Sequence, residues 1–382
     1  MRNFTFHNPT RVIFGKNTIK EIGPAIRENG AKKVLLVAGG GSIKKNGVYD
    51  AVANSLKEHG IEWIEFWGVR PNPVLSKTRE AIEIARKNNV DAILAVGGGS
   101  VIDTAKSVAA GVYLDNIWDV YEKKAEIEKA LPIYTVLTIS AAGSEMDQFA
   151  VMTDEESRRK WNIMSDHIYP RVSIIDPSAQ MSLPWYQTVN GALDALAHIM
   201  EYYFTAKEEE AALSVDEALM RTIIYVVDRL QKKKNDYSAR ASLAWAATLA
   251  LNGTSGAGIG DGDWASHWIE HAVSALYPDV AHGAGLGVIF PAWILYMEKH
   301  NPGTFKRWAR AVWGERSVKG AVLKMRKKLK KWKAPVTLEE LGIKKADIAK
   351  IADKALEVGG VGSLKELNRK DMISILELAS KK

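Results

Sequence analysis

The sequence predicts two domains of different class: an α/β domain over residues 1–180 and an all-α domain over residues 181–382. Three observations point there. Short apolar runs alternate with amphipathic stretches through the first half, the pattern of a mostly parallel sheet covered by helices. Beyond the Leu183-Pro184 step the apolar spacing turns helical and stays so. A length of 382 residues, 47% hydrophobic and 25% charged, is too great for one small core and suits two globular ones.

Taken in order, "VLLVA" (34–38), "IEWIEF" (61–66), "AILAV" (92–96) and "PIYTVL" (132–137) read as strands. The helical patterns "GVYDAVANSLKEHG" and "TREAIEIARKNN" separate the first three. "VSIIDP" (172–177) reads as the last strand, after which the sheet is expected to be complete. An early strand, "TRVIF", is a candidate for pairing across a subunit interface. The second half then offers "ALDALAHIMEYYF", "SVDEALMRTIIYVVDRLQ", "SARASLAWAATLALNG" and "DWASHWIEHAVSALY" as successive helices. No internal repeat or low-complexity segment interrupts them.

Composition removes several classes of function. Cysteine is absent, which excludes disulfides, thiolate catalysis and cysteine-based zinc sites. No run approaches the roughly 20 apolar residues that cross a bilayer, so no membrane partner is expected. The opening residues lack an apolar stretch before a small-residue cleavage site, and a cytoplasmic location is expected. The net charge of +7 gathers in "KMRKKLKKWK" (324–333). There Val322, Met325, Leu329 and Trp332 form one helical stripe with lysines opposite. That is the pattern of a solvated amphipathic helix, and no nucleic-acid partner is expected.

Two glycine loops follow strands in the first half. "AVGGGSVIDTAK" (95–106) ends a strand, turns on Gly97, Gly98 and Gly99, and opens a helix. Backbone N–H groups and a helix N-terminus there suit a phosphate. Ser100 is placed to donate its hydroxyl or to cap the helix, and Asp103 to sit in its first turn. The loop matches neither the Walker pattern nor G-x-G-x-x-G. The second loop, "VAGGGSIKKNG" (37–47), carries Gly39, Gly40, Gly41 and Ser42, with Lys44 and Lys45 behind. Dinucleotide folds that take NAD place an acid near such a turn to hold the ribose 2′-hydroxyl. No acid occurs in this one, so NADP is favoured over NAD.

In the helical half, Asp194 and His198 stand four apart on one helix face amid apolar neighbours. An unpartnered carboxylate is costly there. His267 and His271 likewise share a face, and His282 follows at the mouth of a glycine-containing turn. Three imidazoles and a carboxylate from separate helices can close on one divalent ion. Spacing does not choose between His267 and His271. Without thiolates the set suits iron or zinc. Such an ion polarises an alcohol or carbonyl oxygen, and a nicotinamide beside it carries the hydride.

These residues resemble the iron-containing (group III) alcohol dehydrogenases, especially the NADPH-dependent butanol dehydrogenase and aldehyde reductase branch. The resemblance runs in order through "RVIFGK", "AGGGSIKKNGVYD", "GVRPNP", "AVGGGSVIDTAK", "GSE", "NGALDALAHIMEYY", "LNG" and "HWIEHAVSALYPDVAHGAGLGVIFPAW". It implies a dehydroquinate synthase-like architecture: a dinucleotide-binding α/β domain followed by a helical metal-binding and substrate domain. It implies Asp194, His198, His267 and His282 as metal ligands, with His271 beside the nicotinamide and substrate in a proton relay. It implies pyrophosphate contacts from Gly97 to Ser100 and Asp103, and cofactor contacts from Asn72, Thr138 and Lys160. Gly39 to Ser42 match its NADP-selecting turn. The chain departs from the family where "TTAGTGSE" becomes "TISAAGSE" (138–145), so that Ala142 replaces a cofactor-facing threonine.

The expected function is reduction of aldehydes and oxidation of primary alcohols with NADP(H), by a homodimer. Trp264, Trp268 and Phe149 are candidates for the apolar wall of the substrate site. An NAD-linked polyol dehydrogenase is the alternative within the fold, which also hosts a lyase that uses NAD transiently. A basic metal- or nucleotide-binding regulator without turnover is the alternative outside catalysis.

Overall fold

The computed structural model describes residues 1–381, and the chain clusters into two compact units. One comprises Asn8–Leu183 with Asn235–Ala244. The other takes Met1–His7, Pro184–Lys234 and the residues from Trp245 to the end of the described chain.

The first unit is built on six parallel strands: β1 (Arg11–Phe14), β2 (Lys33–Ala38), β3 (Glu62–Phe66), β4 (Ala92–Gly97), β5 (Ile133–Leu137) and a strand at Val172–Ile175, which becomes β8 after a separate antiparallel pair, β6 (Phe149–Asp154) and β7 (Arg159–Met164). Spatially the sheet runs β1-β8-β5-β4-β2-β3. Helices α1 (Ile22–Glu28), α2 (Ser42–Lys45), α3 (Val48–Glu58), α4 (Leu75–Lys87), α5 (Gly99–Gly111) and α6 (Trp118–Tyr121) fill the connections.

The four inner strands, β2, β4, β5 and β8, read as almost continuous apolar runs because both faces of the sheet are covered there. Leu35 and Val37 face one core with Ile93, Ala95 and Ile102 of α5. Val34 and Leu36 face another with Leu94, Val96 and Val52 of α3. Chain order reverses at β2: β3 lies on one side of it and β4 on the other. Ala38 pairs with Val96 there, so the glycine turns after β2 and β4 leave adjacent strand ends. Open α/β sheets bind ligands at such a reversal.

One expectation needs correction here. The ribbon of β6 and β7 lies in a stretch for which no strand was expected, since neither strand alternates in sequence: β6 opens on four successive apolar residues, and the buried positions of β7, Lys160 and Ile163, are three apart. β1 pairs in parallel with β8 of its own sheet, Arg11 opposite Val172, and only its outer edge is left for another chain.

The second unit is helical, with no strand among its described residues. It contains α7 (Trp185–Tyr203), α8 (Glu210–Lys232), most of the C-terminal half of α9 (Tyr237–Leu251), α10 (Ala265–Leu276), α11 (His282–Met297), α12 (Pro302–Ala311), α13 (Val318–Lys331), α14 (Ile348–Ala355) and α15 (Arg369–Ala379). α11 is apolar on every side and packs against α7, α10, α13 and α15. Its glycines admit close neighbours. A Cβ on Gly283 would stand 2.0 Å from the Asn190 carbonyl oxygen, and one on Gly287 2.8 Å from the Leu193 side chain.

The lysine-rich segment is the outer face of α13. Val322, Met325 and Leu329 are buried beneath it, and the Trp332 indole donates to Asp228 at 2.9 Å. Lys328 and Lys331 pair with the same aspartate at 2.5 and 3.6 Å. No helix among the described residues is long and apolar enough to cross a membrane.

Candidate functional site

The helical unit brings Asp194, His198, His267 and His282 together from three helices. Asp194 and His198 project from successive turns of α7, His267 from the first turn of α10, and His282 is the first residue of α11. Single donor atoms of Asp194, His267 and His282 all lie within 4.8 Å of one another. Asp194 Oδ1 is 3.5 Å from His282 Nε2 and 3.9 Å from His198 Nε2. The His198 ring stacks on His267 with centroids 4.8 Å apart. Asp194, His198 and His267 are buried, while His282 is partly open.

Glycines at "HGAGLG" suggested a turn beside His282, but they belong to the helix that His282 begins. They serve close packing of α11 rather than a change of direction.

Charges around the imidazoles suit a cation. Burial, and then the neighbouring His267, hold the His198 pKa well below 6.5, which leaves a neutral ring able to ligate. Glu201 and Asp263 lie close by. Burial pushes both carboxyls up to about 7, with Glu201 adding repulsion on Asp263. Glu201 meets His267 Nδ1 at 2.6 Å, and Glu270 contacts His282 Nδ1. Neither glutamate was singled out from the sequence, where a glutamate on a helix most often marks a solvated face. The available signals were Glu201 three residues after His198, and Glu270 between two histidines.

His271 is buried one turn beyond His267, its ring 5.4 Å from His282 and edge-on to Trp268 at 5.3 Å. It joins Glu270 and His282 in a second set whose donor atoms also lie within 4.8 Å of one another. Of the candidate wall residues in this unit, Trp264 stands against His267 and His198, with centroids 5.1 and 6.1 Å away.

In the α/β unit, the turn after β4 is shaped by packing as well as by access. Cβ atoms on Gly98 and Gly99 would meet Ile139 and Ala142 at 3.1 and 3.2 Å. Gly98 is the residue that precedes α5, so Ser100 already lies within the helix and does not cap it. Asp103 lies beyond the first turn and is buried. Its carboxylate accepts the Ser144 hydroxyl at 2.7 Å and the Val151 N–H at 3.1 Å, and burial raises its pKa to about 6. Asp103 therefore ties α5 to β6, while the turn itself presents Gly97 to Ser100. Phe149 gives its carbonyl to the buried Lys106 at 2.8 Å.

Asn72 and Lys160, far apart in sequence, come together: Lys160 Nζ donates to Asn72 Oδ1 at 3.0 Å. Thr138 is bonded through its N–H to the Gly97 carbonyl at 2.9 Å, beside the glycine turn. The hydroxyl of Ser140 is taken by Gln180 at 2.9 Å, so it does not replace the one that Ala142 lacks.

The turn after β2 is open, since Cβ atoms on Gly40 or Gly41 would meet nothing within 4 Å. Gly41 has φ +94°, a conformation glycine adopts without strain. Ser42 begins α2. Lys44 lies over the Trp67 ring at 4.1 Å and 3.8 Å from Glu65. Glu65 is partly buried, but hydrogen bonds from Tyr49, Trp67 and Trp63, together with Lys44, hold its pKa below the usual range. An acid thus stands near this turn from β3, although none lies within it.

Comparison with known proteins places these features in context. Residues 9–177 match the model described as iron-containing alcohol dehydrogenase, and residues 188–380 that of the C-terminal part of the same family. A Bacillus subtilis protein named probable NADH-dependent butanol dehydrogenase 2 is 41% identical over 98% of this chain and 99% of its own. The NADPH-dependent aldehyde reductase YqhD of Escherichia coli is 34% identical over 94% of each. A crystal structure of NADH-dependent butanol dehydrogenase A from Thermotoga maritima shares 51% identity, covering 100% of this chain and 99% of that one, with a TM-score of 0.98.

Proposed function

Because the chain belongs to the iron-containing alcohol dehydrogenase family, we propose that it interconverts small primary alcohols and aldehydes with NADP(H), at an iron or zinc ion held by Asp194, His198, His267 and His282. The observation that carries this is the convergence of Asp194, His267 and His282, with donor atoms within 4.8 Å, next to His198. One carboxylate and three imidazoles match the donor preferences of both metals. When bound, the ion supplies Lewis acidity toward the substrate oxygen and the nicotinamide supplies or takes the hydride.

The protein's own groups orient and enclose. Asp194 brings a negative charge to the cluster, and neutral His198 a lone pair. Trp264 offers an apolar ring beside them. His271 is assigned the transfer of the substrate proton toward solvent. In the other unit, Gly97 to Ser100 offer the pyrophosphate a turn at the opening of α5, with Thr138 close by and the paired Asn72 and Lys160 as further cofactor contacts.

Preference for the 2′-phosphorylated cofactor rests on a glycine turn free of acid and followed by Lys44 and Lys45. The NADH-dependent names of two relatives and the position of Glu65 beside Lys44 favour NADH as the second reading. The open outer edge of β1 supports a homodimer.

NADPH oxidation with butyraldehyde tests the proposal, run after chelation, after readdition of iron or zinc, and with NADH in parallel. Activity that disappears with the metal and returns with it is expected, with the higher kcat/KM for NADPH. A higher kcat/KM for NADH corrects the cofactor alone. Inactivity in every metallated sample overturns the alcohol–aldehyde assignment.

A further inference from the structure

Two fully buried glutamates stand behind the histidine cluster. Glu201, on α7, directs Oε1 at His267 Nδ1 at 2.6 Å. The same oxygen accepts the Ser266 hydroxyl, and the other accepts the Trp264 N–H at 2.6 Å. Glu270, on α10, directs Oε2 at His282 Nδ1, and Oε1 accepts the Ser274 hydroxyl. Its side chain occupies space left by a glycine: a Cβ on Gly285 would stand 2.7 Å from Glu270 Cγ.

We propose that Glu201 and Glu270 are positioning residues that set the metal affinity of the centre, each fixing the tautomer and tilt of one histidine. The inference rests on the metal-centre reading given above. Each carboxylate faces the Nδ1 side of its ring, and with a cation on the far side it accepts the Nδ1–H, which leaves the lone pair on Nε2. The geometry agrees at His282, whose Nε2 is the nitrogen 3.5 Å from Asp194. A histidine oriented by a carboxylate is a stronger and better directed ligand.

The same contacts resolve the overlap of the two donor sets. Glu270 is engaged by Ser274 and by the Nδ1 side of His282. It buttresses that ring from behind and does not make a second ion site with His271. His198 has no equivalent support, because its Nδ1 makes no hydrogen bond among the described residues. Among the three histidines, buttressing is therefore confined to those from α10 and α11.

The test uses full-length wild type, Glu201→Gln and Glu270→Gln, stripped of metal and titrated with Co²⁺ while the visible ligand-field spectrum is followed. Zn²⁺ affinity is measured in parallel by competition with a chromophoric chelator. The expected result is one equivalent bound by wild type and affinity about 10- to 100-fold weaker in each variant, with an altered Co²⁺ spectrum. Melting of the metal-free proteins separates folding from binding: a lower midpoint with unchanged affinity and spectrum overturns the proposal. His267→Ala is the control for the underlying reading. If it loses metal while both glutamate variants bind like wild type, the proposal alone fails. If wild type binds no ion, the metal centre fails with it.

Discussion

His271 shares a helix face with His267 but meets different partners, Trp268 at its edge and His282 across the cluster. In a proton relay, His271→Ala lowers turnover by about 100-fold, the lower end of what positioned acid–base groups contribute, and leaves metal content intact. Metal analysis beside steady-state kinetics checks this, and loss of the ion from the variant makes His271 a ligand instead. Glu65→Gln addresses the other unit. Removing the charge beside the half-exposed Lys44 raises the NADPH-to-NADH ratio of kcat/KM by about two- to five-fold, the scale of an exposed ion pair. An unchanged ratio removes Lys44 from cofactor selection. Asp194 and His198 were legible because a helical period places residues four apart on one face, and a carboxylate among apolar neighbours calls for a partner. Asp103 was harder to place, since the Ser144 and Val151 groups that occupy it approach from segments distant in sequence.

Among the elements, α11 is held where it is by its glycines. Gly283→Ala puts a methyl group against the Asn190 backbone, and a cost of about 1–3 kcal/mol is expected from such overpacking. Calorimetry should show a lower melting temperature, and metal titration a weaker site, because His282 moves with the helix. At the C-terminus, α15 begins with a capping box between Asn368 and Asp371. Asn368→Ala should cost about 1 kcal/mol, read by denaturant unfolding. Burial pulls the Asp371 pKa upward, but hydrogen bonds from Lys365, Tyr296 and the Asn368 N–H bring it down to about 2. A depressed carboxyl stabilises the fold fully above its unfolded pKa of about 3.9. That contribution falls away as pH drops from about 4 toward 2. Asp371→Asn should flatten the acid limb of a stability–pH curve in this window. Elements buried on both faces were readable as short apolar runs between helical patterns, as the inner strands of the sheet are, and the long helices from their period. The β6–β7 ribbon was not, because Phe149 to Met152 run apolar without a break and the buried positions of β7, Lys160 and Ile163, fall out of step with alternation. α11 was misread at its start for a related reason: glycine marks turns in sequence, and close helix contact only in space.

Across the whole molecule, the change from α/β to helical texture is a property of long stretches, and it was visible near Leu183-Pro184. Short exchanges across that boundary were not: Met1–His7 cluster with the helices and Asn235–Ala244 with the sheet. Seven to ten residues carry too little periodicity to show which core they join. The homodimer proposed on the free edge of β1 predicts twice the chain mass in light scattering, and a monomeric mass removes it. If Asp194 and the three histidines bind one ion, free metal at about a thousand times its dissociation constant adds about 4 kcal/mol to stability. Melting with and without chelator reads this directly.

The glycines of α11 also bear on the order in which the molecule assembles. Each is worth about 1 kcal/mol less helix stability than alanine, and Gly283, Gly285 and Gly287 crowd into about one turn at the start of the helix. A segment so weak in isolation becomes helical only once α7 and α10 offer it a surface. His282 reaches its place at that moment. A refolding chain should therefore regain most of its helical circular dichroism before it can capture an ion, and the metal pocket is among the last features to mature.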